Sequence, residues 1–176
     1  KIISLSTKKF VTIQNEQLRS FEEVRIANFL YLNNIEYEYE PIYKYNFPES
    51  FKPYTPDFLI RQNGKEVYIE HFGITEDGKS NRYSNEELIK YKKIIIDKIE
   101  LHKQHGTQLI CTYSKYNDGR PFTVHLQEEL QNAGFVIIPK DNKEVMRKIS
   151  AQESSRYVRK LVNLIERFIS NFKTRR

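Results

Sequence analysis

Apolar and polar positions change period several times along the chain, and each change predicts an element. From Ser20, the run SFEEVRIANFLYL sets Val24, Ile26, Ala27, Phe29 and Leu30 at helical spacing behind a capping-box pattern, Ser20 to Glu23. It predicts an amphipathic helix ending near Asn33-Asn34. IEYEYEPI, Ile35 to Ile42, then alternates with period two, placing Ile35, Tyr37 and Tyr39 on one face of a strand and glutamates on the other. The two tyrosines are read as core. Two β-rich runs, DFLIRQ and KEVYIEHF, flank Asn63-Gly64, a dipeptide suited to the positive φ angles of a type I′ hairpin turn.

Beyond a polar loop from Thr75 to Asn85, NEELIKYKKIIIDKIELHKQHG predicts a long helix stopped by Gly106. TQLICTYS reads as a buried strand, FTVHLQEELQNAG as a helix with a glycine stop, FVIIP as a short strand and the remainder as helix. The lead-in KIISLSTKKFVTIQ reads as a strand or strand pair whose place the pattern leaves open. A hairpin of strands followed by a crossover helix and further strands predicts an α/β fold, a mixed central sheet with helices on both faces. The expected division is a lead-in at 1–19, a core domain at 20–150 and a terminal amphipathic helix at 151–176.

Composition sharpens this in three ways. A length of 176 residues with 39% hydrophobic content suits one domain with a real core. No signal peptide or membrane-length apolar run is present, and the first residue is Lys1, so the chain is expected to be a soluble, cytoplasmic piece of a longer protein with no membrane partner. The single cysteine, Cys111, is expected to be a buried structural thiol. The net charge of +6 is local. From Arg156 onward seven basic residues face Glu166 alone, and the rest of the chain is balanced. This basicity is read as the solvated side of a terminal helix whose apolar positions are Val158, Leu161, Val162, Ile165, Phe168, Ile169 and Phe172.

The hairpin register carries the chemistry. With Asn63-Gly64 as a two-residue loop, Gln62 pairs with Lys65, Ile60 with Val67 and Phe58 with Ile69, so Asp57 falls opposite Glu70. Opposed residues hold their Cβ atoms about 5 Å apart, and like charges so placed require something positive between them. A hard cation such as Mg²⁺ meets that need. A third acid on the first helix, Glu23, reaches the same place if that helix packs on the sheet, although a capping role would also occupy it.

These pieces, Glu23 on the first helix, Pro56-Asp57 opening one strand and Glu70 on the next, laid over an αβββαβ order, resemble the PD-(D/E)XK nucleases of restriction-endonuclease-like fold. More narrowly, SFEEVRIANFLYLNNIEYEYEPIY, TPDFLI, YIEHFG and KIELHKQHGTQLICTYS resemble the nuclease domain found within UvrD/Rep-like superfamily 1 DNA helicases, an ATP-binding DNA-repair class. The resemblance implies a DNA-cleaving hydrolase with Mg²⁺ or Mn²⁺ as cofactor and DNA and the helicase motor domains of the parent chain as partners. It implies that Asp57, Glu70 and the His71 carbonyl bind the metal, that Glu23 assists, and that the terminal helix leads back to the motor. One position departs from the family pattern. Where the motif lysine belongs, two residues after Glu70, stands Phe72. In other members the following helix supplies that lysine, and here it offers Lys98, which borders the apolar stripe, with Lys92 and Lys93 as substitutes. A nuclease-fold module without activity, kept for DNA binding or docking, is the alternative.

GITEDGKS, Gly73 to Ser80, matches the phosphate-loop pattern GxxxxGK[ST]. It is rejected, because SNRYSN separates it from the next helix start and Glu76 and Asp77 would oppose phosphate. His102, His105 and His125 with Cys111 have no convincing zinc spacing, and the histidines are expected at the surface.

Overall fold

The structure, a computed structural model, describes residues 10–48 and 50–173. It divides into two units, Lys1–Pro139 and Lys140–Arg176. The first begins with a short antiparallel pair, β1 (Phe10–Val11) and β2 (Gln17–Leu18), which fits the predicted strand pair. Residues 1–9 of the lead-in lie outside the described residues. Helix α1 (Phe21–Leu32) starts at Ser20, whose Oγ accepts the Glu23 N–H at 3.0 Å. The reciprocal half of the expected capping box is absent. The Glu23 carboxylate instead accepts the Arg19 N–H at 3.1 Å and the Tyr39 hydroxyl at 2.6 Å.

Four strands follow, β3 (Glu36–Tyr39), β4 (Phe58–Gln62), β5 (Lys65–Thr75) and β6 (Leu109–Lys115), in the spatial order β3-β4-β5-β6. The first three are antiparallel, and β6 runs parallel to β5. A parallel neighbour requires a long crossover, supplied by α2 (Asn85–Gln104), and α3 (Phe122–Asn132) comes after β6. The fold is therefore mixed α/β, as predicted.

The hairpin register is the one read from the sequence, Phe58 opposite Ile69 through Gln62 opposite Lys65. Asn63 at φ 52° and Gly64 at φ 77° supply the turn. Nothing lies within 4 Å of a Cβ built on Gly64, so only the backbone resists a side chain there. Gly64→Ala is expected to lower the unfolding free energy by about 1 kcal/mol, measured by urea denaturation.

Alternation gives the sheet two faces. Phe58, Ile60, Val67, Ile69 and Ile110 pack with Val24, Ile26, Ala27 and Leu30 of α1 and Leu126 and Leu130 of α3. Tyr37 and Tyr39 pack against this core, Tyr39 with its ring 5.4 Å from that of Phe58. On the other face Tyr68 joins Tyr43, Tyr54 and Leu101, while Phe72 and Ile74 meet Ile95 of α2.

Two details differ from or sharpen the sequence reading. Phe135 to Pro139 does not form a strand. Its backbone is held by side chains instead: Gln62 bonds both the N–H and the carbonyl of Val136, at 2.6 and 2.9 Å, and the Asn34 amide donates to the Ile138 carbonyl. The segment Gly73 to Ser80 is no phosphate cradle. β5 runs on to Thr75, a tight turn returns the chain with Thr75 N–H donating to the Lys79 carbonyl, and α2 starts later at Ser84 with a capping box.

The second unit consists of α4 (Asn142–Lys173), so the predicted terminal helix is the continuation of a longer one. Val158, Leu161 and Val162 are exposed on it, and the side chains of Ile165, Phe168, Ile169 and Phe172 lie outside the described residues. Among the described residues no helix is long and apolar enough to cross a membrane.

Candidate active site

β5 outruns β4 by several residues, and that mismatch builds the site. Past Ile69 the edge of β5 that had been paired with β4 loses its strand partner, and the chain of β4 instead presents the side chain of Asp57. Asp57 Oδ2 accepts the His71 N–H at 2.7 Å. Within a strand a residue's N–H and carbonyl face the same neighbour, so the His71 carbonyl projects along this same edge, beside Asp57. The carboxylate thus takes over a ladder position.

Glu70 points to the α2 face and is 1% exposed. A buried carboxylate must be partnered, and it is. Lys98 Nζ lies 2.6 Å from Glu70 Oε2, and the Tyr54 hydroxyl donates to Oε1 at 2.7 Å. Lys98 reaches Glu70 across aromatic surface, its ammonium 5.5 Å from the ring centre of Tyr54 and 5.9 Å from that of Phe72. The side chain at position 72 shares the face of Glu70, so the ammonium of Lys98 stands over the Phe72 ring. Its side chain is 22% exposed against 2% for Glu70, which makes Lys98 the solvent-side member of the pair. Lys92 does not join this cluster. Its ammonium lies near Gly78 instead.

Asp57 keeps some accessible surface, yet the protein around it removes most of its hydration. That burial holds its carboxyl well above the usual carboxylate range, and the neighbouring charge of Glu70 raises it further. Lys98 and the His71 N–H act in the opposite direction without cancelling the effect. Glu23 also raises it, which puts the third predicted acid within electrostatic range of Asp57, although its carboxylate is bonded to Tyr39 and Arg19. So the structure brings together Asp57, Glu70, the His71 backbone and Lys98, with Glu23 at their edge.

The donors available to a cation are all oxygens, from two carboxylates and a peptide carbonyl, a set suited to Mg²⁺ or Mn²⁺ and unsuited to soft metals. The raised Asp57 adds that the two acids lack sufficient positive charge by themselves. Among the described residues no group of three or more His, Cys, Asp or Glu side chains is gathered for a metal.

The His71 imidazole takes the opposite face of the sheet. Its Nδ1 lies 2.9 Å from Thr112 Oγ1, and its Nε2 is 3.3 Å from Glu22 Oε2 but not aligned for a hydrogen bond. Glu22 also accepts from Ser114 Oγ at 2.9 Å, and its pKa is lowered chiefly by His71. This cluster fastens α1 to β5 and β6 behind the acids. Cys111 is half-buried beside Glu70, and burial pushes its thiol up to about 12, which leaves it an inert, packed thiol.

Two members of the site were not read from the sequence. Tyr54 comes from an irregular segment with no periodicity, its only signal being a position three residues before Asp57. His102, expected at the surface, is 1% exposed. It lies one turn from Lys98 on α2, and this spacing is what marks it.

No family model matches the chain. It is 26% identical over 138 residues to an uncharacterized protein of Methanocaldococcus jannaschii, an alignment that covers 76% of this chain and 10% of that protein. The chain thus spans about a tenth of the length of the curated relative it matches.

Proposed function

We propose that this chain is a metal-dependent deoxyribonuclease domain of restriction-endonuclease-like fold, carried within a larger DNA helicase. The observation that carries the reading is the Lys98 ammonium 2.6 Å from the carboxylate of Glu70, on the strand face where Phe72 occupies the family's lysine position. The αβββαβ order and the electrostatic coupling of Asp57 to Glu70 support it, and so does alignment with a far longer protein. Mg²⁺ or Mn²⁺, when bound, supplies positive charge and a water of lowered pKa. Asp57, Glu70 and the His71 carbonyl would hold it. Lys98, the solvent-side member of its pair with Glu70, would donate hydrogen bonds to the attacking water or to a phosphate oxygen as negative charge grows there. Glu23 orders water next to Asp57. The reading keeps DNA and the motor domains as partners and the cytoplasm as location.

The second reading, a nuclease-fold module without activity, is favoured by a specific observation: Glu23 is already bonded to Tyr39 and Arg19, and no third metal-ligating side chain joins the pair among the described residues. Incubation of the chain with single- and double-stranded DNA in Mg²⁺, Mn²⁺ or EDTA separates the two. Cleavage that needs the metal and falls at least ~10²-fold in Glu70→Gln is expected. Absence of cleavage in every metal, with the parent protein also inactive, would leave the module.

A further inference from the structure

Behind Glu70 lies a chain of polar groups that the proposed reaction does not use. The Tyr54 hydroxyl lies 2.7 Å from Glu70 Oε1 and 3.2 Å from His102 Nε2. His102 Nδ1 is 2.8 Å from Thr107 Oγ1, and Thr107 Oγ1 in turn meets the Tyr43 hydroxyl. Tyr43 and Tyr54 are buried with their rings 5.3 Å apart, and the imidazole is packed against Tyr43 and Tyr68 at 4.4 and 5.0 Å. Burial, reinforced by Lys98 and His105, lowers the His102 pKa to about 4, so the ring is neutral. Burial likewise keeps both tyrosines protonated.

Each hydroxyl has one proton, and a neutral imidazole has one N–H. A carboxylate only accepts, so the Tyr54 proton goes to Glu70. Tyr54 oxygen must then accept from His102, which puts the ring proton on Nε2. Nδ1 is left as an acceptor for the Thr107 hydroxyl, and Thr107 oxygen accepts from Tyr43. The Thr107 hydroxyl also lies 3.3 Å from the His102 carbonyl, but that carbonyl already accepts the Thr107 N–H and Nδ1 is nearer at 2.8 Å, so each donor has its place and every bond of the chain points the same way.

We infer that Tyr43, Thr107, His102 and Tyr54 form a one-directional hydrogen-bond chain that ends on Glu70 Oε1 and fixes the carboxylate so that Oε2 is the oxygen presented to a divalent cation. Tyr54 and His102 are positioning residues, since neither touches the reacting atoms. The polarised chain delivers a stronger bond to Oε1 than a lone tyrosine would. It would also stop the carboxylate from rotating when a cation displaces Lys98 from Oε2. The cation part of this inference rests on the nuclease reading, whereas the proton order rests on the hydrogen-bond distances and the burial of the imidazole.

Two measurements on the chain test the two parts separately. Nitrogen NMR of the histidine side chains at neutral pH without metal should show His102 as the Nε2–H tautomer, and Thr107→Val should disturb that signal without unfolding the chain. An Nδ1–H tautomer, or a charged ring, would overturn the directional chain. Mn²⁺ binding followed by electron paramagnetic resonance should weaken about 10- to 100-fold in Tyr54→Phe, which retains the ring, and by a smaller factor in Thr107→Val. Wild-type binding that Tyr54→Phe leaves unchanged would overturn the positioning role while sparing the nuclease reading. If the wild-type chain fails to bind Mn²⁺, the cation role falls together with that reading.

Discussion

Lys98→Ala is expected to lose metal-dependent DNA cleavage by about 10²- to 10³-fold and, in the same variant, to lower the unfolding free energy by about 3 kcal/mol. The two effects have one origin. Among the described residues Lys98 is the cation paired with the buried Glu70 carboxylate, so removing it strands a charge from which water is excluded. Its ammonium also stands over the rings of Tyr54 and Phe72, and the truncation forfeits both cation–π contacts. Activity and urea denaturation should be measured with and without Mg²⁺. If the metal can take the place of the ammonium beside Glu70, Mg²⁺ should restore much of the stability and none of the cleavage. A variant that keeps full activity would remove Lys98 from the chemistry.

Asp57→Asn is the second large effect, and it runs in opposite directions for activity and stability. Cleavage should fall by about 10³-fold, because an amide is a poor ligand for a hard cation where a carboxylate is needed. The metal-free chain should become more stable at neutral pH. Burial and Glu70 hold the folded Asp57 carboxyl above its usual value of 3.8, so folding takes up protons. The stability linked to that uptake is complete below about pH 4 and is lost as pH rises through the raised folded value. An asparagine can still accept the His71 N–H and has no such titration. Denaturation in EDTA at a series of pH values should therefore show wild-type stability declining from acid toward neutral pH through this group, with the Asp57→Asn curve flatter. Parallel curves for the two proteins would show that Asp57 is not desolvated as its surroundings imply.

Much of this site was legible before any coordinates because the hairpin is a ruler. Asn63-Gly64 fixes the loop length, strand periodicity fixes the pairing, and the opposition of Asp57 to Glu70 follows by counting. Lys98 was reached through the family resemblance, which looks to the following helix for the lysine, and helix periodicity added only that it borders the buried stripe. What escaped has a common physical cause. Tyr54 belongs to a stretch without secondary structure, where no period relates sequence position to direction in space. His102 was assigned to solvent because a histidine on a lysine-rich helix usually belongs there, and its partners Tyr43, Tyr54 and Thr107 are distant in sequence or irregular. FVIIP has strand composition, yet its carbonyls and amides find Gln62 and Asn34 side chains, a substitution that local propensity does not register. Glu23 was read as an assisting acid with a bond back to the Ser20 backbone as the alternative, and in the fold its carboxylate accepts the Tyr39 hydroxyl and the Arg19 N–H instead.

The origin of the cation on a helix rather than on the acid-bearing strand has a consequence for how the site fails. A lysine two residues from Glu70 would be held to it by covalent geometry through every fluctuation short of strand melting. Lys98 is 28 residues away along the chain and meets Glu70 only while α2 is docked. Opening of α2 alone would disassemble the site while the hairpin, and with it the two acids, stayed intact. On the nuclease reading, cleavage would then be a readout of one helix's attachment. It should fade on warming in step with the amide protection of α2, ahead of that of β4 and β5.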